Sequence, residues 1–233
     1  MPFNSRHTSH SYESEIQELR AALGAMGDRC RRALGTAITA VRTGSRDLAR
    51  QVVGLDRAVN ADEKAIDALT VRILALRQPV ACDLRLLAMS FKLVTDLERI
   101  GDEAVNIAER AEDGPLAADP ETVRDLERMG DEAQRMVASA LDAFLEGDDE
   151  GAREVLLRDD VVDELYGKTM RAMEEYMRTH PAEVPSALCV MSVAKYLERV
   201  ADHATNVAEE VIFMVRGDDV RHAKSVGSLR ALV

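Results

Sequence analysis

Apolar residues recur at three- and four-residue spacing along nearly the whole chain, the signature of amphipathic helices. Ile16, Leu19, Leu23, Met26, Cys30, Ala33, Leu34, Ala37 and Val41 trace the first stripe, behind a cap and first-turn acids at Ser11, Glu13 and Glu15. Gly44-Ser45 closes that helix and caps the next. Leu48, Val52, Leu55, Val59, Ile66, Leu69, Ile73 and Leu76 mark a second stripe, which Arg77-Gln78-Pro79 ends. The residue before a proline resists the helical conformation. A third helix starts near Pro79 or Val80 and runs to about Ala111. The segment from Gly114-Pro115 to Asp119-Pro120 reads as a linker. The pattern then restarts and predicts helices over 120–146, 149–179 and 182–216, after first-half helices over 12–43, 46–77 and 80–111. Residues 1 to about 10 and those after Gly217 read as tails. No β-alternation competes with this reading.

The second half repeats the first. Leu97–Glu109 reads LERIGDEAVNIAE and Leu197–Glu209 reads LERVADHATNVAE, with eight of thirteen positions identical. Chance would give about one, so this is an internal repeat. Met26-Gly27-Asp28 has its echo in Met129-Gly130-Asp131, 103 positions on, whereas the LER motifs lie 100 apart. The second copy is therefore three residues shorter between its second and third helices, which one join around His180-Pro181 can absorb. Short joins between long helices imply antiparallel neighbours. The expected fold is all-α: two tandem three-helix bundles, over 12–112 and 119–217, related by a pseudo-twofold axis.

The repeated motif carries the candidate chemistry. Glu98, Asp102 and Asn106, and again Glu198, Asp202 and Asn206, stand four apart and share one side of a helix. With about 100° per residue, these acids border a buried arc of Leu93, Leu97, Gly101, Ala104 and Ala108. The bland reading is an ordinary solvated face with Arg99, Arg110 and Arg199 as ion-pair partners. Like charges at i,i+4 repel, however, and both copies keep the pair. All-oxygen clusters of this kind suit a hard or borderline cation. Asp56 and Asp159 also match between copies and could complete each site from a neighbouring helix. His203 falls where the first copy has Glu103, and reads as an exposed or core-edge histidine.

Composition sharpens the picture. Of 233 residues, 46% are hydrophobic and only 3% aromatic, so the core is aliphatic, as in helical bundles. A formal net charge of −12 repels phosphate backbones, so direct nucleic-acid binding is not expected. Three scattered cysteines, Cys30, Cys82 and Cys189, fit a reducing cytoplasm and no disulfide frame. The longest apolar run toward the end, Val211–Val215, is far short of a membrane span. The polar N-terminus has no secretory h-region. No phosphate loop, nucleophile elbow or His/Cys metal spacing is present. A di-iron oxidase or storage protein is the alternative; that chemistry uses Glu-x-x-His, and no Glu here has His three residues on.

RQPVACDLR at Arg77–Arg85, DLERIGDEAVNIAERA at Asp96–Ala111 and YLERVADHATNVAEEVIFMV at Tyr196–Val215 resemble the PhoU family of phosphate-transport regulatory proteins. The resemblance runs from about Tyr12 to Gly217. It implies a cytoplasmic, non-enzymatic negative regulator of the phosphate-starvation response that also modulates phosphate uptake. Such a protein sits between the ATPase subunit of a high-affinity phosphate ABC transporter and a sensor histidine kinase, is peripheral to the membrane through these partners, and forms homodimers. It also implies metal binding, with ligands at Glu98, Asp102, Glu198 and Asp202 and a divalent or ferric ion: Fe, Zn, Mg and Ni all fit. Asp96 is set apart from these, since it lies away from the acidic stripe and its mate is Tyr196.

Overall fold

Backbone chemistry sets the helix boundaries. In a computed structural model describing residues 10–113, 118–217 and 220, α1 spans His10–Thr43 and α2 Arg46–Arg77. Between them Gly44 turns left-handed (φ 63°), and the Ser45 side chain accepts from the Leu48 amide. The join between α4 (Pro120–Glu146) and α5 (Asp149–Thr179) repeats this design. Gly147 is left-handed at φ 71°, and Asp148 accepts from the Glu150 and Gly151 amides. Asp119 caps α4 by accepting from Glu121 and Thr122, with Pro120 in the first turn. Each cap satisfies amides that the first turn leaves unpaired.

The third helix of each half is α3 (Ala81–Glu109) and α6 (Val184–Arg216). Both begin a little later than the hydrophobic pattern suggests. α3 follows Gln78, which takes a left-handed φ of 47° ahead of Pro79; α6 follows a single 3₁₀ turn at Pro181–Glu183. This is where the second half is shorter. The first half's longer hairpin leaves Leu76, Val80 and Leu84 exposed at its tip, at 66%, 72% and 48%. Leu76 thus leaves the buried stripe to which its spacing assigned it, because the hairpin tip has no helix above it. The expected linker at Gly114-Pro115, the N-terminal tail and most residues past Gly217 lie outside the described residues.

Each half is a three-helix bundle, and the halves meet through α1 against α4 and through α3, with the 3₁₀ turn Arg110–Asp113 that follows it, against α6. α2 and α5 flank the assembly, each packed within its own half. A main aliphatic core runs through both, from Leu19 and Leu23 to Val207 and Val211, and a smaller cluster of Met173, Ala187 and Val190 lies in the second half. Every apolar position of the first predicted stripe is buried, as are Leu97, Ala104 and Ala108 with their mates Leu197, Ala204 and Ala208. The six-helix, two-bundle expectation is the fold observed.

The pseudo-twofold axis is visible at the α1–α4 contact. A Cβ on Gly27 would lie 2.2 Å from a Leu141 methyl, and one on Gly130 would lie 2.9 Å from the Ile38 Cδ1. Gly130 is the mate of Gly27 and Leu141 the mate of Ile38, so this is one contact made twice. Gly27→Val should therefore destabilise the fold by about 1–3 kcal/mol, the usual effect of overpacking. Leu141→Ala in the same chain should recover part of that loss. By contrast, Gly54→Ala, with nothing within 4 Å of the added methyl, should stabilise α2 by about 0.5–1 kcal/mol. Denaturant midpoints of the variants check all three.

Candidate carboxylate sites

The sequence candidates occupy the border of α3 and α6 facing α2 and α5. Glu98 is half-buried and Asp102 exposed; Glu198 and Asp202 repeat the arrangement. Neighbouring helices add acids to each. Asp56 and Glu63 from α2 lie within electrostatic reach of Glu98 and Asp102. Asp159, Asp160 and Asp163 from α5 surround Glu198 and Asp202. Asp56 and Asp159 were legible from the repeat. Glu63 and Asp163 were not, because neither is duplicated; the mate of Asp163 is Asn60.

Burial first, and repulsion from neighbouring acids second, raise the pKa of Glu98 and Asp56 in one site and of Asp159, Glu198 and Asp202 in the other. Burial pushes Glu98 up, with Asp102, Glu63 and Asp56 adding to it. Asp56 rises for the same first reason and then through Asp102, against a hydrogen bond from the Asn60 amide at 3.3 Å. The effect is larger in the second site, where Asp163 replaces that amide. Asp159 is pushed up to about 7, first by burial and then by Asp163, Asp202, Asp160 and Glu198. Glu198 and Asp202 are likewise raised by burial first. Among the described residues, none of Asp56, Glu98, Asp102, Asp159, Glu198 and Asp202 is in an ion pair. Arg99 and Arg199 act on Glu98 and Glu198 only at longer range.

The donor set fits a cation. The Asp56 Oδ1 and Asn60 Oδ1 acceptors are buried without a hydrogen-bond donor. Gly101 leaves room for Asp56, since a Cβ there would stand 3.2 Å from that same Oδ1. In the second copy this position is Ala201. Among the described residues no three His, Cys, Asp or Glu side chains are gathered into a ready-made metal centre. The sites are acceptor-rich faces rather than closed cages.

Asn106 and Asn206 belong elsewhere. Asn206 donates to Asp96 at 3.3 Å, and Asn106 donates to Glu103 at 3.0 Å. Both acids are buried on the α3–α6 seam, where His203 Nδ1 lies 2.8 Å from Asp96 and Arg199 lies 3.0 Å from Glu103. The shared asparagines thus turn toward the seam, not the acidic border. His203 is buried, and its partner is Asp96, the acid that lies away from the acidic stripe. Cys30 and Cys189 are buried and Cys82 is half-buried; none is disulfide-bonded. Among the described residues, no helix is long and apolar enough to cross a membrane.

Comparison with known proteins agrees with the two-bundle fold. A family model described as the PhoU domain matches twice, over residues 23–111 and 122–211. The chain is 40% identical to a phosphate-specific transport system accessory protein PhoU homolog of Pseudomonas putida, over 94% of this chain and 86% of the relative. It is 34% identical to the phosphate-specific transport system accessory protein PhoU of Escherichia coli K12, over 94% of this chain and 90% of that one. The crystal structure of PhoU from Pseudomonas aeruginosa superposes with a TM-score of 0.84 at 39% identity, covering 89% of this chain and all of that one. The Streptococcus pneumoniae phosphate transport system regulatory protein PhoU superposes at 0.79 with 25% identity, covering 90% of this chain and 99% of that one.

Asp159 yields a pH test. Its folded pKa of about 7 stands above the ordinary 3.8, so the neutral form is the one the fold favours. The associated stability is fully present below pH 3.8 and is lost as pH rises through 7. Asp159→Asn should therefore raise Tm at pH 8 and change it little at pH 4. Screening at this half-exposed position holds the gain to about 1 kcal/mol, or about 2–4 °C. Thermal unfolding with EDTA at the two pH values measures the difference.

Proposed function

We propose, from the premise that this chain belongs to the PhoU family, that it is a non-enzymatic regulator of phosphate-specific transport. In this reading it is a cytoplasmic adaptor and negative regulator of the phosphate-starvation response. It links the ATPase subunit of a high-affinity phosphate ABC transporter to a sensor histidine kinase, modulates uptake, and works as a homodimer held at the membrane by its partners. The printed descriptions of its relatives, accessory and regulatory proteins of phosphate transport, support the coarse role.

The observation that carries the reading is the pair of carboxylate faces, one per half, whose acids lack ion-pair partners among the described residues. Charge held close together without compensation on a rigid helical frame is suited to meeting positive charge from outside. That charge comes from a basic partner surface or from a divalent or ferric ion, with Fe, Zn, Mg and Ni all compatible with oxygen ligands. Glu98 and Asp102, with Asp56, would hold such an ion in the first half; Glu198 and Asp202, with Asp159, would hold one in the second. A bound ion would supply the positive charge that lets all of these carboxylates ionise together. The chain's own contribution is to fix the acids along α3 and α6 and to leave Asp56 Oδ1 without a competing donor.

Deleting the gene should leave phosphate-response genes switched on in high phosphate, measured by reporter expression; normal repression in the deletion strain overturns the adaptor reading. At the protein level, Glu98→Ala combined with Glu198→Ala should lower metal content by about tenfold or more, a loss of at least ~1.4 kcal/mol of binding. Metal analysis of purified wild-type and variant protein checks this, and equal content removes both residues as ligands.

A further inference from the structure

We infer that the groove between α1 and α4, beside the first turns of α2, is a binding site for a multiply charged phosphate anion. This site is separate from the carboxylate faces and does not depend on the adaptor reading. The groove is open to solvent and offers about 620 Å³, within the size range of small-ligand sites. Arg31 and Arg32 reach it from α1 and Arg135 from α4, and none of its lining residues is acidic. On a chain of net charge −12, three arginines concentrate positive charge at one groove that has no acidic lining residue.

The neutralisation of these arginines is incomplete. Arg31 has only Asp28, 3.9 Å away on its own helix. Arg135 meets Glu132 at 3.0 Å, but Glu132 also receives Arg158 at 3.0 Å, so one carboxylate serves two guanidiniums. Arg32 has no carboxylate partner among the described residues. Guanidinium groups match phosphate oxygens two at a time, which a solvated lysine does not.

The repeat makes the groove specific to one half. At the 103-residue offset, Thr39 becomes Asp142 and Gln51 becomes Glu154, while Arg31 becomes Gln134. The equivalent positions in the second half thus carry two acids where this groove has a threonine and a glutamine, and of the two α1 arginines only Arg32 has a basic mate, Arg135. The floor is close-fitting: a Cβ on Gly35 would stand 3.0 Å from Gln134 Oε1. Leu48 and Ala138 give an apolar wall, and the Gln51 amide is exposed at the rim. Three guanidiniums spread around such a volume suit a chain of phosphates better than one tetrahedral anion. Either an inorganic polyphosphate or a nucleoside polyphosphate supplies that chemistry, and in the second case the wall and Gln51 receive the base.

Calorimetric titration of the full-length protein, in EDTA and low salt, tests this with tripolyphosphate and ATP as probes. Both should bind the wild type, and Arg31→Gln with Arg32→Gln should weaken both by about tenfold or more. A control pair of equal charge change, Arg72→Gln with Arg178→Gln, should leave binding within about twofold of wild type. Arg135→Gln alone provides the same test if the groove pair lowers Tm. Gln51→Leu assigns the source: weaker ATP binding with unchanged tripolyphosphate identifies a nucleoside polyphosphate, and equal binding of the two identifies the inorganic chain. Absence of wild-type binding at about 1 mM probe, the lowest affinity worth the name, overturns the proposal. Equal weakening in groove and control variants also overturns it.

Discussion

Two helix backbones approach only as closely as the side chains between them permit, and here Gly27 and Gly130 set that limit. Leu141 occupies the space that a side chain on Gly27 would need, and Ile38 does the same at Gly130. This reciprocal contact draws α1 and α4 together and makes one main core out of two bundles. The α3–α6 seam closes the other side, with Asp96 and His203 at one place and Glu103 and Arg199 at the other. With these four helices fixed, the border acids Glu98, Asp102, Glu198 and Asp202 face α2 and α5, while Asp96 and Glu103 face the seam. The carboxylate faces are thus a consequence of how the halves are joined.

Most of the fold could be read from the chain because helix burial has a short period. The α1 stripe needs only local spacing to be assigned to the core, and the left-handed Gly44 and Gly147 joins follow from residue type. Errors arise where a residue's fate depends on a distant segment. Leu76 keeps the spacing of a core residue but sits at a hairpin tip with nothing packed over it. Asn106 and Asn206 share the helix side of the acidic pairs by spacing, yet their amides find seam acids.

The site itself was half legible for a related reason. Duplication exposes what both halves keep, so Glu98, Asp102, Glu198 and Asp202 stood out, and Asp56 and Asp159 with them. It hides what only one half has. Asp163, Glu63 and the Asp96–His203 pair have mates of different chemistry, so no pattern could flag them. Burial weighs first on Asp159, and the same divergence adds to it, because Asp163 stands where Asn60 donates its amide to Asp56 in the first half.

The hairpin between α2 and α3 gives the molecule a direction. Its exposed leucine and valine side chains crown the first half, while the shorter join between α5 and α6 has a different outline. A fully symmetric duplication would offer two identical ends, and a partner gripping one end could equally well load a second copy on the other. Among the described residues the two tips differ, with Leu76, Val80 and Leu84 exposed at one and Leu188 near the start of α6 at the other, so the two ends are not interchangeable.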